Sequence, residues 1–147
     1  MQKIGSGTPE SRYLDLRKKH PGAVGILIEG DSWFAYPGLI GKNIPRQLKE
    51  MNGNRTVHLD YSHSGDDARE IMSGRQYDRL FEVMASGKFT FDCILFSGGG
   101  NDIVAGNLPL LLNRYQPGFS WEDCFNFERF NRRLRQIEDA YLDLAAL

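Results

Sequence analysis

Three short clusters hold the residue types that nucleophilic chemistry needs. The first is Gly30-Asp31-Ser32-Trp33, which follows the apolar run Ala23-Val24-Gly25-Ile26-Leu27-Ile28, with Glu29 between. A serine there stands at the mouth of a buried strand, where α/β folds carry their ligands and chemistry. Its hydroxyl is a weak nucleophile until a base takes the proton. Gly30 permits close backbone approach and a sharp exit from the strand. The plain alternative is a serine that caps a turn. The second cluster is Ser62-His63-Ser64-Gly65-Asp66, and the third is Gly98-Gly99-Gly100-Asn101-Asp102. Taken alone, Gly65 is a turn glycine, and Asn101 is an Asx-turn or helix-cap residue. Three consecutive glycines are costly unless the backbone must bend or approach something closely. Asp102 either orders the loop that bears Asn101 or caps the segment that follows.

In this order the three clusters resemble the first three motif blocks of the SGNH hydrolases, the GDSL-type esterases and lipases. The resemblance covers roughly residues 23–103. Trp33 stands where the common motif has Leu, a change in the pocket wall. The resemblance implies that Ser32 is the nucleophile and that Asp31 holds the active-site turn by hydrogen bonds. It implies an oxyanion hole made of the Ser32 N–H, the Gly65 N–H and the Asn101 side-chain amide. Fixed donors at the point where negative charge develops are what a tetrahedral intermediate needs. The substrate class is then a small carboxylic ester, cleaved through an acyl-enzyme by an esterase, lipase or deacetylase, with no cofactor. The rival readings are a non-catalytic α/β ligand-binding module and an inactive fragment. The family's fourth block, Asp-x-x-His near the C-terminus, has no counterpart here. The expectation is a single domain over residues 1–147, truncated before that block.

The general base is therefore the open position. The histidines are His20, His58 and His63. His20 belongs to a turn before the first strand, and His58 lies within a strand. His63 is near the active edge and matches no family catalytic position. It is the candidate for a substitute base, against the plainer role of a rim or loop-stabilising residue. Trp33, Phe34, Tyr36, Phe119, Trp121, Phe125 and Phe127 flank the clusters; the first five are the candidates for an apolar acyl pocket, with core packing as the alternative for about half of the seven. A nucleotide site is disfavoured, because Gly-x-Gly-x-x-Gly spacing is missing and no Gly-Lys-Ser/Thr follows. A metal site built from Asp31, Asp66, Asp67, Asp102 and His63 lacks any recurring ligand spacing. No metal is expected.

The elements that must position these residues alternate along the chain. Residues 1–12 read as a loose arm and 13–19 as a short helix ended by His20-Pro21-Gly22. Residues 23–29, 56–61 and 91–96 read as strands, the first a continuous apolar run suited to a buried parallel strand. Tyr36-Pro37-Gly38 reads as a turn. Residues 44–51 read as a helix, with Pro45 in its first turn and Gly53 beyond its end. Residues 67–72 read as a helical turn and 76–85 as a helix. After Asp102 an irregular stretch is expected. Phe130, Leu134, Ile137, Tyr141 and Leu144 then mark a final amphipathic helix. Strand–helix alternation implies an α/β fold with a parallel sheet. The resemblance sharpens this to a three-layer α/β/α sandwich of flavodoxin-like, SGNH type, incomplete in this chain. Its open sheet edge would invite self-association.

Bulk properties are those of an ordinary globular domain. The chain has 147 residues, 41% hydrophobic and 25% charged, with 18 Lys plus Arg against 19 Asp plus Glu. A net charge of −1 gives no case for a nucleic-acid partner. Arg129, Arg132, Arg133 and Arg135 cluster near Glu128, Glu138 and Asp139, and read as a solvated helix face. No apolar run reaches the ~20 residues of a membrane span. Met1-Gln2-Lys3-Ile4-Gly5 is followed by no apolar segment, so it does not read as a signal peptide. Cys93 and Cys124 read as free thiols in a reducing, cytoplasmic setting.

Overall fold

A computed structural model describes residues 7–36 and 42–147. Residues 1–6 of the expected arm, and Pro37 and Gly38 of the expected turn, lie outside the described residues. The protein is α/β, with a three-stranded parallel sheet in the order β2-β1-β3. The chain divides into two compact units, Met1–Ser64 with Glu82–Ser97 and Gly65–Phe81 with Gly98–Leu147.

The first unit holds the sheet. Strand β1 (Val24–Gly30) is buried along its length except at Val24, as expected of a central strand flanked on both sides. Strand β2 (Thr56–Asp60) pairs with it from Val24↔Thr56 to Ile28↔Asp60. Strand β3 (Cys93–Ser97) pairs on the other side, from Ile26↔Cys93 to Gly30↔Ser97. The chain thus leaves β1 to one side and returns on the other, which makes the carboxyl ends of β1 and β3 a topological switch point. Leu27, Ile28, Val57 and Leu59 are fully buried. Each such side chain contributes about 1.5–3 kcal/mol of burial free energy.

Helix α1 (Pro9–Lys19) starts inside the stretch expected to be a loose arm. Thr8 caps it, with its hydroxyl accepting from Ser11 N at 3.3 Å, and Pro9 occupies the first position, where no N–H is required. Tyr13 on this helix is buried, packs against Phe89 and Phe91, and donates to the Thr90 carbonyl at 2.5 Å. Phe91 serves that aromatic cluster and Asp92 Oδ2 accepts from Gly25 N at 2.6 Å, so regular strand β3 begins two residues later than the sequence suggests. A four-residue helix, α2 (Ser32–Ala35), follows β1 directly. Helix α3 (Ile44–Asn52) has Asn43 as its cap and Gly53 at its end, with φ +55°.

The second unit is helical. It holds α4 (Ala68–Ile71), α6 (Gly100–Ile103), α7 (Trp121–Cys124) and the long α8 (Phe127–Ala145). Helix α5 (Gly74–Ala85) carries the chain from this unit back to the first. Residues 103–126 are more ordered than expected: a 3₁₀ helix spans Ala105–Leu111, and α7 forms behind a reciprocal cap between Ser120 and Asp123. An antiparallel bridge joins Leu112 to Phe125. Neither cysteine is in a disulfide; Cys93, at the start of β3, is exposed, and Cys124 is half-buried. Among the described residues no helix is long and apolar enough to cross a membrane.

Candidate functional site

Ser32 is the first residue of α2, immediately after the end of β1. Asp31 makes that abrupt change possible. Its backbone is extended and its Oδ1 accepts from Trp33 N at 3.1 Å, which caps the helix. Its own N–H donates to the Ser97 carbonyl at 3.0 Å, and Ser97 Oγ donates to Oδ1 at 2.6 Å. Asp31 is 2% exposed, so its carboxylate is locked by these bonds rather than by water. Phe34 N and Ala35 N both reach the Asp31 carbonyl. The Ser32 N–H has no acceptor among the described residues, as befits a first-turn amide, and Ser32 is half-buried.

Gly30 is the hinge of this arrangement. Its φ is +153°, and a Cβ there would lie 2.5 Å from the Ser97 carbonyl oxygen. Only glycine lets β3 come this close. The Gly30 carbonyl accepts from His63 N at 2.8 Å, which ties His63 to the carboxyl end of β1. His20 instead caps the end of α1, and Ala23 N bonds to its carbonyl at the opposite end of β1. His58 sits within β2, half-buried, with Nε2 3.1 Å from Thr56 Oγ1, and burial pushes its pKa below the ordinary 6.5. His63 is thus the histidine on the Ser32 side of the sheet. Glu29 is 1% exposed, and its Oε1 accepts from Gly30 N at 3.0 Å.

The second unit holds both Gly65 and Asn101. Gly65 has φ +98° and is exposed. Asn101 Nδ2 donates to the carbonyl of the next residue, Asp66, at 3.0 Å. One of the two amide hydrogens is so engaged, and a second remains. Asn107 Nδ2 bonds the Asn101 carbonyl at 2.9 Å and Asp67 Oδ2 at 3.2 Å, which braces the same loop. Asp102 is fully buried. It caps α4, upstream in sequence rather than the following segment: Oδ2 accepts from Ala68 N at 2.7 Å, and the Arg69 amide also favours the charge. Burial outweighs these bonds and raises its pKa. The triple glycine has a packing reason: Gly99, at φ +105°, leaves only 3.1 Å between a would-be Cβ and Ile137 of α8, and Gly98 O accepts from Tyr141 at 3.1 Å.

The aromatic candidates divide. Phe34 packs with Ile26 and Ile28 in the core, against Leu95. Trp33, Tyr36 and Trp121 are exposed, and Phe119 is half-buried against Tyr115. Among the described residues no three His, Cys, Asp or Glu side chains are placed to hold one metal ion. Sequence reasoning missed Ser97. Its signal was a lone hydroxyl between the apolar β3 run and the glycines. No protein-family model, curated protein or solved structure matches this chain.

Proposed function

We propose that this protein is a serine esterase of the SGNH type, built as a three-layer α/β/α sandwich and acting on small carboxylic esters. The observation that carries the reading is Ser32 itself. It opens a helix at the carboxyl end of the central strand, at the switch point, on a turn fixed by Asp31 and Ser97, with its N–H uncommitted.

On this reading the Ser32 hydroxyl attacks the ester carbonyl as a base removes its proton. The Ser32 N–H, the Gly65 N–H and the second Asn101 amide hydrogen are assigned to the oxyanion, which all three must reach together. The alcohol leaves with the returned proton, and water then releases the acid from the acyl-enzyme. His63, whose backbone N–H donates to Gly30 O, is the candidate for a substitute base. Asp31 and Asp102 support the two loops and take no part in proton transfer. Trp33 and Tyr36 are assigned to the acyl pocket, together with Phe119 and Trp121.

Turnover of p-nitrophenyl acetate tests this. Ser32→Ala should abolish it, whereas turnover retained by that variant would exclude the mechanism.

A further inference from the structure

A second site stands out in the helical unit, independent of Ser32. A cavity of about 480 Å³ is lined by Arg69, Leu110, Leu111, Arg129, Arg132, Arg133 and Gln136. Three of its arginines lie on one face of α8, at spacings of three and four residues, and the fourth comes from α4. The α8 face is solvated, as the sequence suggests, with Arg129, Arg132 and Arg135 exposed and Arg133 half-buried; three of the four also line the cavity, and Arg135 does not.

The arginines are only partly neutralised. Glu128 meets Arg132 at 3.6 Å, but both side chains are mostly exposed, so the pair is weak. Arg129 Nη1 is held by the Leu110 and Leu112 carbonyls, at 3.3 and 3.4 Å, and this fixes the guanidinium without cancelling its charge. Arg133 adds its charge to the cavity wall. Its Nη1 has no acceptor among the described residues, but that atom is buried, closed to water and so to a ligand; what Arg133 offers the cavity is its positive charge rather than a bond from Nη1. The nearby Asp102 carboxylate acts on Arg133 through charge, yet its Oδ1 is also unbonded. Asp139 and Asp143 face a smaller, adjoining cavity of about 150 Å³, which shares Arg69 and Gln136 with the larger one.

We propose that the larger cavity binds a small phosphorylated ligand, with its phosphate on Arg69, Arg129, Arg132 and Arg133 and its carbon skeleton against Leu110 and Leu111. Four guanidinium groups from two elements suit a group with nearly two negative charges and several acceptor oxygens. A carboxylate offers one charge and two oxygens. The volume suits a small molecule.

Calorimetric titration of the full chain with phenyl phosphate tests the site, with phenylacetate as the carboxylate control and inorganic phosphate as the head group alone. Phenyl phosphate should bind, more tightly than either control. Arg133→Gln should weaken it severalfold, through the loss of one positive charge at the cavity wall. The exposed Arg69→Gln and Arg132→Gln, which leave the fold alone, should each weaken it as well. Arg135→Gln should not change it. No binding at millimolar phenyl phosphate, equal binding of phenylacetate, or equal losses in Arg135→Gln and Arg132→Gln would overturn the proposal.

Discussion

The Ser97 hydroxyl donates to Asp31 Oδ1 at 2.6 Å, joining the end of β3 to the residue that caps the Ser32 helix. Two strands thereby fix one turn. Ser97→Ala should destabilise the protein by about 1–3 kcal/mol, because a buried carboxylate loses a donor. Denaturant unfolding measures this. Esterase turnover should fall along with stability, since the Ser32 turn loosens. Wild-type stability in the variant would show that the bond does little.

Gly30 is the most sterically demanding position of the site. Gly30→Ala would set a Cβ 2.5 Å from the Ser97 carbonyl and 2.8 Å from the Ser97 N. The positive φ alone costs about 1–3 kcal/mol for a side-chain residue, and the clash adds to it. Soluble yield and thermal unfolding should both drop. A variant as stable as the parent would mean that β3 can move away freely.

His58 sets an acid limit on the first unit. Burial lowers its pKa below 6.5, with the Lys49 charge in support. The unfolded chain therefore binds a proton that the folded chain resists. The His58 contribution to stability is full above pH 6.5 and is lost as pH falls through the lowered folded value. His58→Gln should flatten that part of the stability–pH curve. An unchanged curve in this variant would assign the acid loss to other groups.

Asn101 separates a structural role from an oxyanion role. Asn101→Ala removes the bond to Asp66 O and the proposed donor together. Loss of an oxyanion donor lowers kcat about 10²–10³-fold. Asn107→Ala loosens the same loop without touching that donor, and should lower kcat far less. Equal losses in both variants would point to loop order alone.

Much of the fold was legible because its signals are local. The apolar run before Gly30 announced a buried strand, and alternation with helices announced parallel pairing. Asn43, Pro45 and Gly53 marked both ends of α3. Less legible were features whose partners lie far along the chain. The use of Phe91 against Tyr13, which delays β3, is one. Asp102 as a cap on α4 is another. Helix α2 was missed because four residues give no periodicity, although Asp31 two residues before Trp33 is a capping signal. The cavity beside the α8 arginines was not legible because α4 supplies Arg69 from sixty positions away. In the candidate site the sequence named Ser32, Gly65 and Asn101. It could not show which oxygen Asn101 would bind, or that Ser97 locks Asp31.

The most direct test of the central claim is covalent. The protein is treated with a serine-directed alkyl phosphonate, its intact mass is measured, and the adduct is located by peptide mapping. The expected result is one adduct, on Ser32, with ester turnover lost in proportion and labelling slowed in His63→Ala. An unlabelled Ser32, or an adduct on another serine with turnover lost alongside it, would contradict the assignment of Ser32 as the nucleophile.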